Sequence, residues 1–299
     1  MTNTEISVVI PTYNRVGSLE KALDLLSGQT CASGSFEVIV VDDGSRDDIE
    51  GMIKRRRDSF GYPLTFIRQV NAGPASARNK GVRLARAGLV LFIGDDIMPK
   101  EDLVQRHLDA HKRHPGAAIL GFVEWSKDAE ITDFMRYISP DGPQFRYSNI
   151  KDAGDCGFRH FYTANISIGK DWLTADPFDE DFPFAAFEDT ELAYRLEKKG
   201  LRIVFDEKAI GYHYHPVTFD SFKNRMRTSG ISGALFLKKH PEAKKIVMPI
   251  GLVPAKIVFF SLRSLGPVLK YFSRELFWYS NIVSSYIEGL EEGIARYKP

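Results

Sequence analysis

LVLFIGDDIMP, residues 89–99, runs from five apolar residues through a glycine into two adjacent carboxylates, Asp95 and Asp96, and stops at a proline. A carboxylate buried without a partner is strongly destabilising, so such acids are paired, hydrogen-bonded or bound to a cation. An apolar strand that ends in two of them therefore puts the acids at its exit, holds a cation with them, or does both. The bland alternative is that they cap the following turn, a position that suits Asp.

Upstream, the same pattern recurs. ISVVIP (6–11), FEVIVVD (36–42), LTFIRQ (64–69) and GLVLFIG (88–94) are rich in Val, Ile, Leu and Phe, as strands covered on both faces are. VGSLEKALDLLSGQ (16–29), RDDIEGMIKRRRDSF (46–60) and ASARNKGVRLARAG (75–88) fit helices between them. The alternation predicts a three-layer α/β unit with a mostly parallel central sheet. Ligands of open sheets collect outside the carboxyl ends of the strands. There the chain carries Pro11-Thr12-Tyr13-Asn14 and then Arg15, Asp42-Asp43-Gly44-Ser45, and Gly94-Asp95-Asp96. No GxGxxG follows the first strand and no GxxxxGK[ST] occurs anywhere, which counts against a dinucleotide fold and a P-loop.

Downstream, KEDLVQRHLDAHKRHP (100–115) reads as a helix, GAAILGFVEW (116–125) as a strand, and 126–162 as a long aromatic-dotted connection of the kind that serves function. FYTANISIG (161–169) reads as a strand, the second half of 178–200 as a helix, and LRIVFD (201–206) as a return to the sheet. With 43% hydrophobic and 26% charged residues the 299-residue chain is an ordinary globular protein. Its two cysteines, Cys31 and Cys156, suit a reducing compartment, and its N-terminus reads as a first strand with no signal-peptide pattern.

Charge divides the chain. Residues 1–219 carry 27 Lys+Arg against 33 Asp+Glu, whereas residues 220–274 carry 11 against 2. We therefore expect an α/β domain over 1–219 and a basic, apolar, helical region over 220–299. That region contains IVMPIGLVPAKIVFFSL (246–262) and LFWYSNIVSSYI (276–287), whose longest charge-free stretch is shorter than the ~20 apolar residues of a spanning helix. Lys256, Arg263 and Lys270 recur every seven residues with Arg274 four further on, around a kink at Pro267. An apolar body with a basic stripe describes either an interfacial helix on anionic lipid at the cytoplasmic face of a membrane, or a face packed on the catalytic domain or on a second subunit in a homodimer.

Together SVVIPTYNR, VIVVDDGS, NAGPASARNKG, LFIGDDIMP and FDEDF…FEDTELAYRL, in that order, resemble the family 2 glycosyltransferases of the GT-A fold over about residues 5–216. The resemblance implies a nucleoside-diphosphate sugar donor, a saccharide or lipid-linked acceptor, no nucleic acid, a Mn²⁺ or Mg²⁺ ion, and inversion at the anomeric carbon. It assigns Asp95 to the metal with Asp96 beside it, and Thr12, Asp42 and Asp43 to the nucleoside. Pro11, Tyr13, Asn14, Arg15, Gly73 and Asp95 complete the nucleotide side, and Arg78 faces diphosphate or base unless it is a surface ion pair. Glu188-Asp189 opens a helix, where acids favour the dipole; by resemblance Asp189 is the base that takes the acceptor hydroxyl's proton. His213 and His215 share a face if extended, and either completes the metal shell, with His215 favoured. One position departs: the first acid of the family's Asp-X-Asp falls on Ile93.

Trp125, Phe145, Tyr147 and Trp172 either stack on sugar or pack. A nucleotidyltransferase would share the nucleotide, acids and metal but show a Gly-rich phosphate loop where PTYNR stands. A non-catalytic sugar-nucleotide-binding protein has no need of Glu188-Asp189.

Overall fold

A computed structural model describes residues 4–32, 34–248, 257, 260, 261 and 264–297. The chain divides into two compact units, residues 1–181 with 189–216 and residues 182–188 with 217–299. The first holds β1 (Ile6–Thr12), α1 (Val16–Ser27), β2 (Phe36–Asp42), α2 (Ile49–Arg56), β3 (Leu64–Arg68), α3 (Pro74–Leu84) and β4 (Leu89–Ile93). It continues through β5 (Ile97–Pro99), α4 (Leu103–Arg113), β6 (Ala118–Trp125), α5 (Asp133–Ile138), β7 (Asn165–Gly169), α6 (Lys170–Ala175), α7 (Glu188–Glu197) and β8 (Ile203–His213).

The sheet order is β3-β2-β1-β4-β7-β6-β8-β5. β3, β2, β1 and β4 are parallel, β7 runs against β4 and β6, β8 is parallel to β6, and β5 runs against β8. All seven residues of β2 are buried. Alternate side chains go to opposite faces: Val9, Ile39, Val41 and Phe92 pack in one core with α3, and Val8, Ile10, Val38, Val40 and Ile93 in another with α1, α2 and α4. These two cores are the three-layer α/β arrangement.

The elements beyond β4 differ in detail from the sequence reading. Ile97–Pro99 form an additional strand, because β8 does not stop at 206 but continues through a bulge opposite Gly121/Phe122 to His213, and Gly211–His213 pair with them. The exposed Glu207 and Lys208 at the bulge interrupt the apolar pattern that would have announced this extension. Residues 161–164 precede β7, and the 126–162 connection contains α5 and two 3-10 turns.

Between α4 and β7 lies a buried polar chain. Asn165 Nδ2 donates to the Phe122 and Ala209 carbonyls, at 3.1 and 2.9 Å, which leaves its Oδ1 to accept from His107 Nε2 at 2.9 Å. His107 Nδ1 must then accept from Ser167 Oγ, and Ser167 Oγ accepts from His111 Nε2, both at 2.8 Å. The pairing fixes both tautomers. Every link is a neutral group replacing water, so the chain joins α4 to β6, β7 and β8 without burying charge.

In the second unit α8 (Phe219–Lys239), closed at its start by a Thr218–Ser221 capping box, lies against the helix Arg274–Arg296. Phe219 meets Phe277 at one end and Ala234 meets Gly293 at the other, so the two helices run parallel. Their backbones almost touch: a Cβ on Gly289 would lie 1.9 Å from the Arg227 carbonyl oxygen. No helix among the described residues is long and apolar enough to cross a membrane. Lys256 and Arg263 of the basic stripe lie outside the described residues.

Burial pulls the His107 and His111 pKa values down to about 4. An unfolded chain would protonate both near 6.5, so their contribution is fully present above about pH 6.5 and is lost as pH falls towards 4. It amounts to about 3 kcal/mol for each as an upper limit. The urea midpoint of the first unit should therefore drop between pH 7 and pH 5; an unchanged midpoint would show that the imidazoles are not held neutral.

Candidate active site

The carboxyl ends of β1, β2 and β4 meet on one edge of the sheet. In register, Thr12 stands opposite Asp42 and the Asp43 N–H donates to the Thr12 carbonyl at 2.9 Å. The loops after β1 and β2 are stitched together by three further bonds. Asn14 N donates to Ser45 Oγ at 2.8 Å, Arg46 N to Asn14 Oδ1 at 2.7 Å, and Val16 N to Asp47 Oδ2 at 2.8 Å. Asn14 takes φ +55°, a left-handed conformation that Asn tolerates better than most side chains. Gly44, at φ +82°, has only 3.0 Å between a would-be Cβ and the Asn71 amide nitrogen, so a side chain there is excluded twice over.

Beyond β4 the chain turns at Gly94, and both acids are buried. Thr12 Oγ1 donates to Asp95 Oδ2 at 2.8 Å, and the Tyr13 N–H also points to Asp95. Arg15 pairs with both acids, by a short hydrogen bond to Asp96 and at 3.5 Å to Asp95. His213 Nε2 lies 3.2 Å from Asp96 Oδ2, and the Tyr214 N–H donates to the Asp96 carbonyl at 2.9 Å. Trp125, at the end of β6, stacks on the His213 ring with centroids 4.8 Å apart and donates its Nε1 to Met135, so this tryptophan packs against the histidine. His213, at the end of β8, is the histidine in contact with the acid pair. His215 stands two residues past the strand, its pKa lowered by burial and by Arg15.

Electrostatically the pair is short of positive charge. Burial, then the neighbouring Asp96, pushes the Asp95 carboxyl up to about 7 despite Arg15, Thr12 and the Tyr13 N–H. Burial opposes the Asp96 charge as well, but His213 and Arg15 outweigh it and hold that carboxyl well below the usual range. Among the described residues no three of His, Cys, Asp and Glu are grouped to hold a metal ion unaided. Two carboxylates and an imidazole sharing one guanidinium are nonetheless a donor set that fits a divalent cation whose remaining ligands are phosphate oxygens and water.

Asp42 is fully buried; its Oδ1 accepts from Ser45 N at 2.8 Å, and its Oδ2 lies 3.5 Å from Arg68 Nε with no hydrogen-bond donor of its own. Arg68 did not stand out in the sequence; its signal is register, since it ends β3 directly opposite Asp42. Asp43 is placed differently. Its Oδ1 accepts from Gln69 Nε2 and Ala72 N at 2.8 and 2.9 Å, and its Oδ2 from Gly73 N at 2.9 Å, so it braces the loop that starts α3.

On α3, Arg78 is buried beside the Phe178 ring, 5.6 Å from guanidinium carbon to centroid. Its neighbour Asn79 holds the 178–180 loop: Nδ2 donates to the Phe178 carbonyl and to Glu180, both at 2.8 Å, and Oδ1 accepts from Phe178 N at 2.9 Å. Asn79 also escaped the sequence reading. At the start of α7, Glu188 is buried and Asp189 half-buried, with Asp189 Oδ1 accepting from Thr190 N at 2.7 Å. Burial and then the Asp189 charge push the nearby Tyr162 phenol up. Pro11 and Thr12 end β1 and Tyr13 follows directly, with its ring exposed.

Residues 7–171 match the profile of the family described as Glycosyl transferase family 2. Validoxylamine A glucosyltransferase of Streptomyces hygroscopicus subsp. jinggangensis is 29% identical over 264 residues, 79% of this chain and 61% of that protein. Chondroitin synthase of Escherichia coli is 28% identical over 267 residues, 79% of this chain and 38% of that protein. The chain thus spans less than two thirds of the length of each of these two relatives. The structure of a mannosyltransferase from Pyrobaculum calidifontis, solved with GDP-Man and Mn²⁺, superposes with a TM-score of 0.69 at 16% identity over 99% of this chain and 88% of that one. That likeness shows the GT-A fold.

Asp43→Ala would strip the 69–73 loop of its acceptor. The expected loss is about 2–3 kcal/mol of stability, as for hydrogen bonds to a buried charge, read by urea unfolding; a loss within error would free Asp43 for ligand contact instead.

Proposed function

Since the chain belongs to glycosyl transferase family 2, we propose that it moves a sugar from a nucleoside-diphosphate donor to a hydroxyl of a saccharide or lipid-linked acceptor, with inversion, in polysaccharide or glycolipid assembly. The observation that carries this reading is the buried Asp95–Asp96 pair at the exit of β4, two carboxylates sharing the single guanidinium of Arg15. The reaction is assigned to the cytoplasmic side, in keeping with two free cysteines.

Thr12 and Asp42 are assigned to the nucleoside side, with Arg68 3.5 Å from Asp42 Oδ2. Arg78, anchored on Phe178, presents a fixed cation to the diphosphate. Asp95, with Asp96 and His213 beside it, would hold Mn²⁺ or Mg²⁺, and the bound ion supplies the positive charge that makes a diphosphate an acceptable leaving group. Arg15 holds that charge balance in its place. Asp189, at the positive end of α7, takes the proton of the acceptor hydroxyl as its oxygen bonds to the anomeric carbon and the bond to the diphosphate breaks. One displacement inverts the centre, with no covalent sugar intermediate.

Incubation with a panel of UDP-, GDP- and dTDP-sugars plus Mn²⁺ should release nucleoside diphosphate from at least one donor. Asp95→Asn, or excess EDTA on the wild type, should abolish that release; full turnover in either removes the metal from the reading. Asp189→Asn should keep donor affinity while transfer falls roughly 10²–10⁴-fold, the usual contribution of a general base. Wild-type transfer by that variant would make Asp189 a helix acid and nothing more.

A further inference from the structure

Residue 187 is a phenylalanine in a backbone conformation that phenylalanine avoids. Among the described residues three that carry a side chain are left-handed, Asn14, Arg146 and Phe187, the last at φ +68°. Asn tolerates that region, whereas for a bulky side chain it is a true outlier that persists only where the surroundings over-determine it. In FAAFEDTEL (184–192) the chain places this outlier directly before Glu188 and Asp189, at the entry to α7.

Its surroundings come from α8. Residues 182–188 and α8 belong to the same compact unit, and the first unit resumes at Asp189. The half-buried Phe187 ring lies against the fully buried Phe236, with centroids 5.6 Å apart and planes at 50°. Gly233, three residues earlier on the same face of α8, puts no side chain in the way: a Cβ there would come within 3.4 Å of Phe187 Cε2. One ring is thus seated on bare helix backbone at 233 and on an aromatic neighbour at 236. With only φ and ψ free at each residue, a change of handedness at 187 would swing the Glu188-Asp189 pair and the first turn of α7 in a new direction. Packing on α8 therefore reaches Asp189 through the chain itself.

We propose that Phe187 is a positioning residue: its ring, seated on Gly233 and Phe236, holds the left-handed turn that sets Asp189 against the acceptor hydroxyl. This assignment deepens the transferase reading and rests on it. With the donor that the sugar-nucleotide panel identifies, transfer rates, nucleoside-diphosphate affinity by calorimetry and the thermal transition are measured for each variant. Phe187→Ala should lower kcat roughly 10–10²-fold, the scale of a misplaced catalytic group, with donor KM and diphosphate affinity unchanged. Phe187→Gly should lose rate as well, because glycine permits the left-handed conformation without holding it. Phe187→Tyr, which keeps the ring, should recover most of the rate. Phe236→Leu should lower kcat too, and Phe187→Ala added to it should cost little more, since both remove one shared contact. A wild-type kcat in Phe187→Ala or Phe187→Gly overturns the assignment. So does a loss that falls equally on diphosphate affinity, or that only tracks unfolded protein in the thermal scan, which would make Phe187 a packing residue. If Phe236→Leu unfolds, the three variants at 187 decide alone. A wild-type chain that transfers no sugar is a different failure: it removes the transferase reading, and this assignment with it.

Discussion

Two carboxylates in sequence, both removed from water, constrain everything near the end of β4. Burying one ionised acid is expensive and burying two side by side adds their repulsion. The surroundings of Asp95 and Asp96 answer this cost from four directions: a hydroxyl from β1, a backbone N–H from the turn after it, a guanidinium from the start of α1 and an imidazole from the end of β8. These groups come from parts of the chain as far as 117 residues from Asp96 in sequence, so the pair cannot be held until the sheet is complete. An asymmetry remains: the surroundings push the Asp95 carboxyl up and hold the Asp96 carboxyl down.

The sheet's topology delivers those four directions. Parallel strands β1, β2 and β4 send their carboxyl ends to one edge, which brings Thr12, Asp42 and the acid pair together. The reversal at β7 lets β6 and β8 run on the far side of β4 in the same direction, so that Trp125 and His213 arrive at the same edge from the opposite flank. Behind the edge, the chain of His107, Ser167, His111 and Asn165 fixes α4 to three strands through neutral hydrogen bonds. Charge is kept at the edge, and directional neutral bonds set the register behind it.

Most of the first hundred residues were legible because burial on both faces writes an unbroken apolar run. FEVIVVD was expected over 36–42 and β2 occupies Phe36–Asp42. Legibility fell where polar residues do structural work. The Asp206–Lys208 stretch reads as the end of a strand, yet β8 bulges there and resumes, and that resumption carries His213. His107 and His111 sit four apart among Leu103, Val104 and Leu108 on the buried side of α4; the i, i+4 spacing was visible, but their partners Asn165 and Ser167 are supplied by a strand far away in sequence. Asp43 and Asn79 illustrate the same limit. Each lies inside a recognisable motif, and what each holds, the 69–73 loop and the 178–180 loop, is decided by tertiary contacts that no local pattern contains.

Ile93 shows how packing and chemistry partition a strand exit. It stands where the resembled family places the first acid of its Asp-X-Asp, and it is fully buried in the core that also contains Ile10, Leu91, Leu103 and Leu108. Its strand partner is Asn165, whose side chain is committed to His107 and to two backbone carbonyls and has nothing to offer a carboxylate. A charge at 93 would therefore be buried with neither water nor a cationic partner. The apolar residue lets β4 stay packed one position further along, and the acids begin only after Gly94, where Thr12, Arg15 and His213 can reach them. In this chain the loss of the first acid follows from where the core ends, and the charge that the site must balance is set by Asp95 and Asp96 alone.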